Sequence, residues 1–124
     1  MSSWTNDELD RIGAADELRI TTTRRDGSPR QPVPIWVVRV GDDLYVRSYR
    51  GHDGAWFRHA TAQPQGRIDA GGVDREVTFD RADQAPTAAI DDAYQAKYAR
   101  YGDAYVQPII SSNAQATTLR LVAR

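Results

Sequence analysis

Short segments of β-forming residues, separated by tight glycine-containing turns, constrain the fold of this chain most strongly. Asp26-Gly27, Gly41-Asp42 and Gly71-Gly72 each lie between two segments rich in Val, Ile, Thr, Leu or Tyr. Aspartate–glycine and glycine–glycine pairs favour the turns of antiparallel hairpins, whereas neighbouring parallel strands need a long crossover connection. The pattern therefore predicts an antiparallel sheet and excludes a doubly wound parallel fold.

We predict six strands, joined mostly by hairpins, and three helices in the connections between them. The strands are expected at Leu18–Thr23, Gln31–Val40, Leu44–Tyr49, Arg67–Ala70, Val73–Arg81 and Ala116–Val122. The helices are expected at Thr5–Ala15, Gly54–Gln63 and Pro86–Tyr101. A six-stranded antiparallel barrel with peripheral helices would hide the edges of this sheet. The length of 124 residues fits one domain, which we expect to span residues 1–124.

Single residues indicate where several of these elements begin or meet an edge. Thr5 and Glu8 form a capping-box pattern at the start of the first helix, and Asp53 is a candidate cap for the second. Pro32 and Pro34 cannot donate a backbone hydrogen bond. This half of the second strand must therefore lie at an edge, at a bulge or on a ligand-facing rim.

The third helix carries a row of large side chains at helical spacing. The row consists of Ile90, Tyr94, Lys97, Tyr98 and Tyr101. We expect its tyrosines to lie in the core, and Gly102 is suited to end the helix. The segment between this helix and the last strand, which contains Pro108 and Asn113, is interpreted as a polar loop.

Composition excludes several classes of function. The chain has no cysteine, which rules out disulfides, thiolate nucleophiles and iron–sulfur clusters. A net charge of -1 favours neither nucleic acid nor an anionic membrane as a partner. No segment approaches the 18 or so apolar residues of a membrane span, and the amino terminus lacks an apolar run. We therefore expect a cytoplasmic protein.

The segment Val46–Ala60 combines arginines, glycines and aromatic residues at the end of a strand. Arg47, Ser48 and Arg50 leave the strand, and the following glycines lead to the start of a helix. Guanidinium, hydroxyl and free backbone N–H groups are what a phosphate site requires. Trp36 and Trp56, with Phe57, could supply a wall for a planar ring. The alternative is that the aromatic residues pack in the core and the arginines face solvent.

The other candidate reactive groups do not form a recognisable site. His52, Asp53 and His59 lack a further ligand at metal-binding spacing, so we predict no metal site. Ser48 and His52 are close in sequence, but no nucleophile-elbow pattern surrounds them. The catalytic residues therefore stay unknown at this stage.

The order of these motifs resembles the flavin-binding split-barrel superfamily, which includes proteins like pyridoxamine-phosphate oxidase and the deazaflavin-dependent nitroreductases. The resemblance rests on the basic Asp-Gly hairpin turn, the proline-containing strand RQPVPIWVVRV, the strand DLYVRS, the helix start WFRHA and the hairpin GRIDAGGVDREVTF. The whole chain is also similar to a bacterial family of uncharacterised domains within this superfamily. That closer similarity includes WTNDELDRIGAADEL, YQAKYARYG and ATTLRLV.

The resemblance implies a split β-barrel that binds FMN or a deazaflavin in a groove of a homodimer. Carried over by position, the cofactor-binding residues would be Pro34, Ile35, Trp36, Arg47, Ser48, Arg50, Trp56 and Arg58. His59 departs from the deazaflavin branch, which commonly has asparagine there.

The function expected from this resemblance is an oxidoreductase that depends on FMN or a deazaflavin and acts on a small molecule. One alternative is a module that binds a cofactor or another ligand in the same groove without catalysis. Another is an empty barrel that serves as a dimeric interaction domain, with the helix Ile90–Tyr101 at its interface.

Overall fold

A computed structural model of the chain describes residues 3–82 and 84–124. The strands in this part of the chain are β1 (Leu18–Thr22), β2 (Val33–Ile35), β3 (Val38–Val40), β4 (Asp43–Val46), β5 (Gln65–Ala70), β6 (Val73–Arg81) and β7 (Leu119–Ala123). The α-helices are α1 (Asn6–Ala14), α2 (Ala55–Ala62), α3 (Thr87–Tyr98), α4 (Asp103–Ile110) and α5 (Ser112–Gln115).

All seven strands form one antiparallel sheet, in the order β2-β1-β5-β6-β7-β4-β3. The strands at its two edges, β2 and β3, are joined in the chain by only Trp36 and Val37. Because the three Cα–Cα steps from Ile35 to Val38 span at most about 10 Å, the sheet must curve until its two edges come close together. The expected split barrel with peripheral helices is confirmed.

The predicted strand Gln31–Val40 was wrong as one element, and the sheet has seven strands instead of six. The chain breaks at Val37, whose N–H donates to the Tyr98 hydroxyl over 3.2 Å. The Val37 carbonyl accepts from the Lys97 ammonium over 2.7 Å. Since α3 side chains satisfy this backbone, it cannot pair with a neighbouring strand. Pro34 lies in β2, at an edge, as one of the three alternatives required.

Apolar side chains pack on both faces of the curved sheet. The larger cluster includes Ile20, Val46, Ile68 and Phe79 from the strands, together with residues of α1 and α2. A second cluster joins the other face to α3 and α4. Its buried members are Val38, Tyr45, Ile90, Tyr94, Tyr98, Val106 and Ile109. The expected core positions of Tyr94 and Tyr98 are confirmed, and this second cluster positions the helices that border the site.

Of the two helix caps predicted from the sequence, one is confirmed and the other is wrong. The capping box at α1 is confirmed, since Thr5 and Glu8 each accept a hydrogen bond from the other's backbone N–H. The prediction of Asp53 as the cap of α2 was wrong. Gly54 occupies that position, and a 3-10 turn over Gly51–Asp53 precedes it.

The carboxyl-terminal third contains more helix than predicted. The helix α3 ends at Tyr98, and Tyr101 lies in a 3-10 turn, 43% exposed, so placing it in the core was wrong. Gly102 follows that turn with a φ of 92° that favours glycine. The polar-loop prediction was wrong as well, because α4 and α5 occupy this segment. Burial of Val106 and Ile109 stabilises α4 despite Pro108 within it.

Candidate ligand-binding cleft

A cleft of about 500 Å³ opens where the break between β2 and β3 meets α2 and α4. Its aromatic lining residues are Trp36, Tyr49, Trp56 and Tyr105. Apolar residues from β2 and α4 complete most of the wall: Pro34, Ile35, Pro108 and Ile109. The charged lining residues are Glu17 and Arg47. The cleft thus brings together Pro34, Ile35, Trp36, Arg47 and Trp56 from the predicted site, and leaves Ser48, Arg50 and Arg58 outside its lining.

Trp36 is the best-supported part of the wall. Its indole stacks on the Tyr98 ring with centroids 3.9 Å apart and planes 4° from parallel. Tyr98 is itself buried in α3, so one indole face is held against the core. Tyr49 and Tyr105 also line the cleft, and because they are 60% and 67% exposed they form its rim.

Backbone contacts fix the chain on both sides of Trp36. The Tyr98 hydroxyl donates to the Asp16 carbonyl over 2.9 Å, and it accepts from Val37 N–H. Burial raises the pKa of Tyr98, which keeps the hydroxyl protonated and able to donate. Burial lowers the pKa of Lys97 to about 8, although its ammonium donates to the Val37 carbonyl. Tyr98 therefore ties the start of β1 to the β2–β3 break.

Arg47 borders the cleft but is committed to the interior. Its side chain is fully buried, and its Nη1 lies 2.6 Å from Asp91 Oδ1. The same Nη1 also donates to the Ile109 carbonyl over 3.1 Å, and Nε donates to Thr118 Oγ1 over 2.9 Å. Gln115 binds the other Asp91 oxygen over 2.9 Å. This network joins the end of β4 to the helices, which gives Arg47 a structural role. Its positive charge is paired with the carboxylate of Asp91.

Ser48 is buried against the start of α2 and does not line the cleft. Its N–H donates to Thr117 Oγ1 over 2.9 Å. A Cβ added at Gly54 would lie 2.2 Å from Ser48 Oγ, so only glycine permits this close approach. The predicted serine thus packs against the N-cap of α2, where the sequence pattern had suggested a phosphate contact.

Arg50 and Arg58 are exposed and have no carboxylate partner among the described residues. Arg50 Nε donates to the Tyr49 hydroxyl over 3.1 Å, and Tyr49 lines the cleft. Arg58 is two residues from Trp56 in α2, and residues two apart lie about 200° around a helix. Arg50 is therefore next to the rim, and Arg58 projects from another side of α2.

Sequence reasoning missed Glu17, Tyr49, Tyr105 and the α4 side of the wall. Glu17 immediately precedes β1, and continuing the register Leu18↔Ile35 by one residue places it opposite Trp36. The turn signal between these strands could have suggested this pairing, but not the break at Val37. The α4 residues carried no signal because the segment looked like a loop.

The histidines lie apart from the cleft lining. Burial, with Arg30 and Arg58 nearby, lowers the pKa of His59. Among the residues the structure describes, no group of three His, Asp or Glu side chains could hold a metal ion. The helices of the same residues include none with the length and apolar character to cross a bilayer.

Comparison with solved structures shows the same fold in proteins of low sequence identity. An F420 reductase is 17% identical over 93% of this chain and 90% of its own, with a TM-score of 0.50. A FAD-binding protein from Mesorhizobium loti is 14% identical over 98% and 91%, with a TM-score of 0.57. HutZ, the heme storage protein from Vibrio cholerae, is 12% identical over 100% and 92%, with a TM-score of 0.61.

At the level of sequence, no curated protein matches this chain significantly. One family model does match, over residues 8–121, and its description is an uncharacterized protein conserved in bacteria, DUF2255. The match covers nearly all of the chain, including β1 to β7 up to Leu121. The chain therefore belongs to the bacterial family DUF2255, and its fold is the split barrel that these solved structures share.

Proposed function

We propose that this protein binds a flavin-type cofactor, FMN or a deazaflavin, in the cleft and acts as an oxidoreductase on a small molecule. The observation that carries the proposal is a cleft of about 500 Å³ with aromatic walls. Pockets of this size and apolar character are typical of cofactor sites. The fold shared with an F420 reductase and a FAD-binding protein supports the same conclusion.

The residues present suit the ring of such a cofactor. Pro34, Ile35 and Trp36 would border it from β2, and Trp56 would border it from α2. Flat aromatic and apolar side chains pack favourably against a planar ring system. The rigid stack of Trp36 on Tyr98 means that this wall needs little reorganisation when a ligand binds.

Arg50 is the basic residue best suited to an anionic tail. Its guanidinium has no carboxylate partner among the described residues and contacts Tyr49 at the rim. A guanidinium binds phosphate oxygens through charge-assisted hydrogen bonds. Arg47 is occupied by Asp91, while Ser48 and Arg58 remain predicted contacts that do not line the cleft.

The chemistry would come from the cofactor, which transfers hydride when bound. The chain would hold the ring between its aromatic walls, limit access of water from the α4 side and bind the phosphate. We expect a nitroreductase-like reaction on a small molecule in the cytoplasm, with no role for nucleic acid or membrane.

We also expect the protein to act as a homodimer. Val33 on the edge strand β2, Tyr49 and Tyr105 are large apolar residues that stay exposed around the cleft. A second copy would cover them, in keeping with the rarity of large exposed apolar patches on monomers. Light scattering after gel filtration should give twice the mass of one chain.

Calorimetric titration with FMN, riboflavin and a deazaflavin tests the proposal directly. We expect binding at micromolar concentration and quenching of tryptophan fluorescence, because Trp36 and Trp56 line the cleft. Trp56→Ala should weaken binding about tenfold, whereas Trp56→Phe keeps an aromatic ring and should retain most of it. Absence of binding by all three compounds would contradict the proposal.

A module that binds the same ligand without catalysis is the second candidate. The described lining of the cleft offers Glu17 as its one acidic side chain and contains no histidine. The fold shared with a heme storage protein also favours it. Loaded protein that fails to oxidise reduced nicotinamide or reduced deazaflavin would support this candidate, and turnover would support the oxidoreductase.

A further inference from the structure

The two charged side chains in the described lining of the cleft, Glu17 and Arg47, differ in whether their charge is paired. Arg47 contributes no free positive charge, because Asp91 lies 2.6 Å from its guanidinium. Asp16, next to Glu17, is paired with Arg100. Glu17 itself has no hydrogen bond or ion pair with any described residue. The uncompensated charge that lines the cleft is therefore one carboxylate.

The backbone that carries Glu17 is held in place. The Asp16 carbonyl accepts from the Tyr98 hydroxyl, and β1 begins immediately after Glu17. The same Tyr98 ring supports Trp36, which stands opposite Glu17 when the β1–β2 register is extended by one residue. Residues opposite each other in an antiparallel pair share a face of the sheet. The carboxylate and the indole thus border the same end of the cleft.

A carboxylate beside aromatic faces is suited to a positively charged ligand. Aromatic rings attract cations through the negative potential of their faces, and apolar walls strengthen the attraction between opposite charges. The same arrangement repels a carboxylate or phosphate placed at this end. We infer that Glu17 makes the cleft selective for planar compounds carrying positive charge, such as pyridinium or protonated-amine heteroaromatics, over anionic compounds of the same shape.

The conclusion that the substrate is a planar cation rests on the proposed function, because it describes the small molecule on which the oxidoreductase would act. The preference for binding a cation depends only on residues of this chain. The anionic tail of a cofactor does not conflict with it, because the proposed contact for that tail is Arg50, which is bonded to Tyr49 at the rim and carries a positive charge.

Three pyridine compounds of similar size test the inference without any cofactor. At neutral pH, 1-methylnicotinamide is a cation, nicotinamide is neutral and nicotinate is an anion. Calorimetry on the purified chain should show the cation binding about tenfold or more tightly than the anion, with the neutral compound between them. Added salt should reduce the difference in affinity between the cation and the anion, because mobile ions screen an exposed carboxylate.

Glu17→Gln is the decisive variant, and Glu76→Gln is its matched control. Glu76 is an exposed glutamate on β6, 62% accessible and outside the cleft lining. Glu17→Gln should bring the three affinities within about twofold of one another, and Glu76→Gln should leave the original preference. Both side chains are exposed, so the urea midpoint of each variant should match the wild type.

Equal affinities in the wild type, a preference that survives Glu17→Gln, or no binding of any compound at about 10 mM would each overturn the inference. These results are distinct from failure of the proposed function. A chain that prefers the cation but binds no flavin would retain the inference and lose the proposed cofactor. A chain that binds FMN but shows no preference for the cation would retain the proposed cofactor and lose the inference.

Discussion

Arg47 and Arg50 are three residues apart at the end of β4, and the sequence motif predicts the same phosphate-binding role for both. Arg47 is fully buried and pairs with Asp91 on α3. Arg50 is exposed and contacts the neighbouring tyrosine. A buried guanidinium without a counter-charge would be strongly destabilising, so Arg47 is bound to the interior, while Arg50 remains free for a ligand.

The comparison shows that a basic motif does not identify a phosphate site until the partner of each arginine is known. Asp91 lies 44 residues after Arg47 in the chain, on a helix whose position depends on the second apolar cluster. Arg47 therefore serves the scaffold of the cleft, and Arg50 is the candidate for recognition. The predictions that follow test the structural role of buried cations such as Arg47 and the ligand-binding role of Arg50.

The largest effect is expected from Asp91→Asn. This change leaves Arg47 buried without a carboxylate, and breaking a buried pair in this way costs about 3–5 kcal/mol of unfolding free energy. Urea denaturation followed by circular dichroism measures the loss.

Asp92→Asn is the matched control, because Asp92 is exposed and adjacent in the same helix. Its unfolding free energy should stay within about 0.5 kcal/mol of the wild type. Similar losses in the two variants would contradict a structural role for the Arg47–Asp91 pair.

A smaller effect, on ligand affinity alone, is expected from Arg50→Ala. Loss of a charge-assisted contact to phosphate should weaken FMN binding about tenfold, and riboflavin, which lacks the phosphate, should bind as before. The urea midpoint should not change, since the side chain is exposed.

Arg25→Ala provides the control, because Arg25 is exposed in the turn between β1 and β2. Equal FMN affinity in Arg50→Ala and Arg25→Ala would remove Arg50 from the proposed site. Arg58→Ala can be measured beside them, and a greater loss there would move the phosphate to the other side of α2.

Much of the fold could be predicted because its signals are local. The Gly71-Gly72 hairpin and the Thr5–Glu8 capping box depend on residues close together in sequence, and the structure has both. The prediction that Pro34, Ile35, Trp36 and Trp56 belong together is matched by their positions around one cleft. Their role as cofactor contacts stays a prediction.

The remaining features depend on partners far away in the chain. The strand Gln31–Val40 gave no sign of its break, because the groups that satisfy Val37 come from Lys97 and Tyr98. The free carboxylate of Glu17 could be recognised only once Arg47 and Arg100 had been assigned to other acids. Local patterns cannot reveal which charge is left unpaired.

The smallest effect concerns Lys97, a second cation held by the interior. It has no carboxylate partner among the described residues and donates to the Val37 carbonyl over 2.7 Å. Burial lowers its pKa to about 8 in the folded chain, against about 10.4 when unfolded. Between these values the unfolded chain binds more protons, so the contribution of Lys97 to stability rises with pH and is lost as pH falls through about 8.

Lys97→Met isolates this contribution, because methionine does not titrate and tyrosine ionisation is common to both proteins. The unfolding free energy of the wild type, minus that of Lys97→Met, should be constant from about pH 6 to 7 and increase from about pH 8 to 9.5. Urea midpoints across this range measure the difference. A difference that stays flat would mean that Lys97 keeps its ordinary pKa, and that burial of an unpaired cation beside Val37 costs the fold little compared with Arg47.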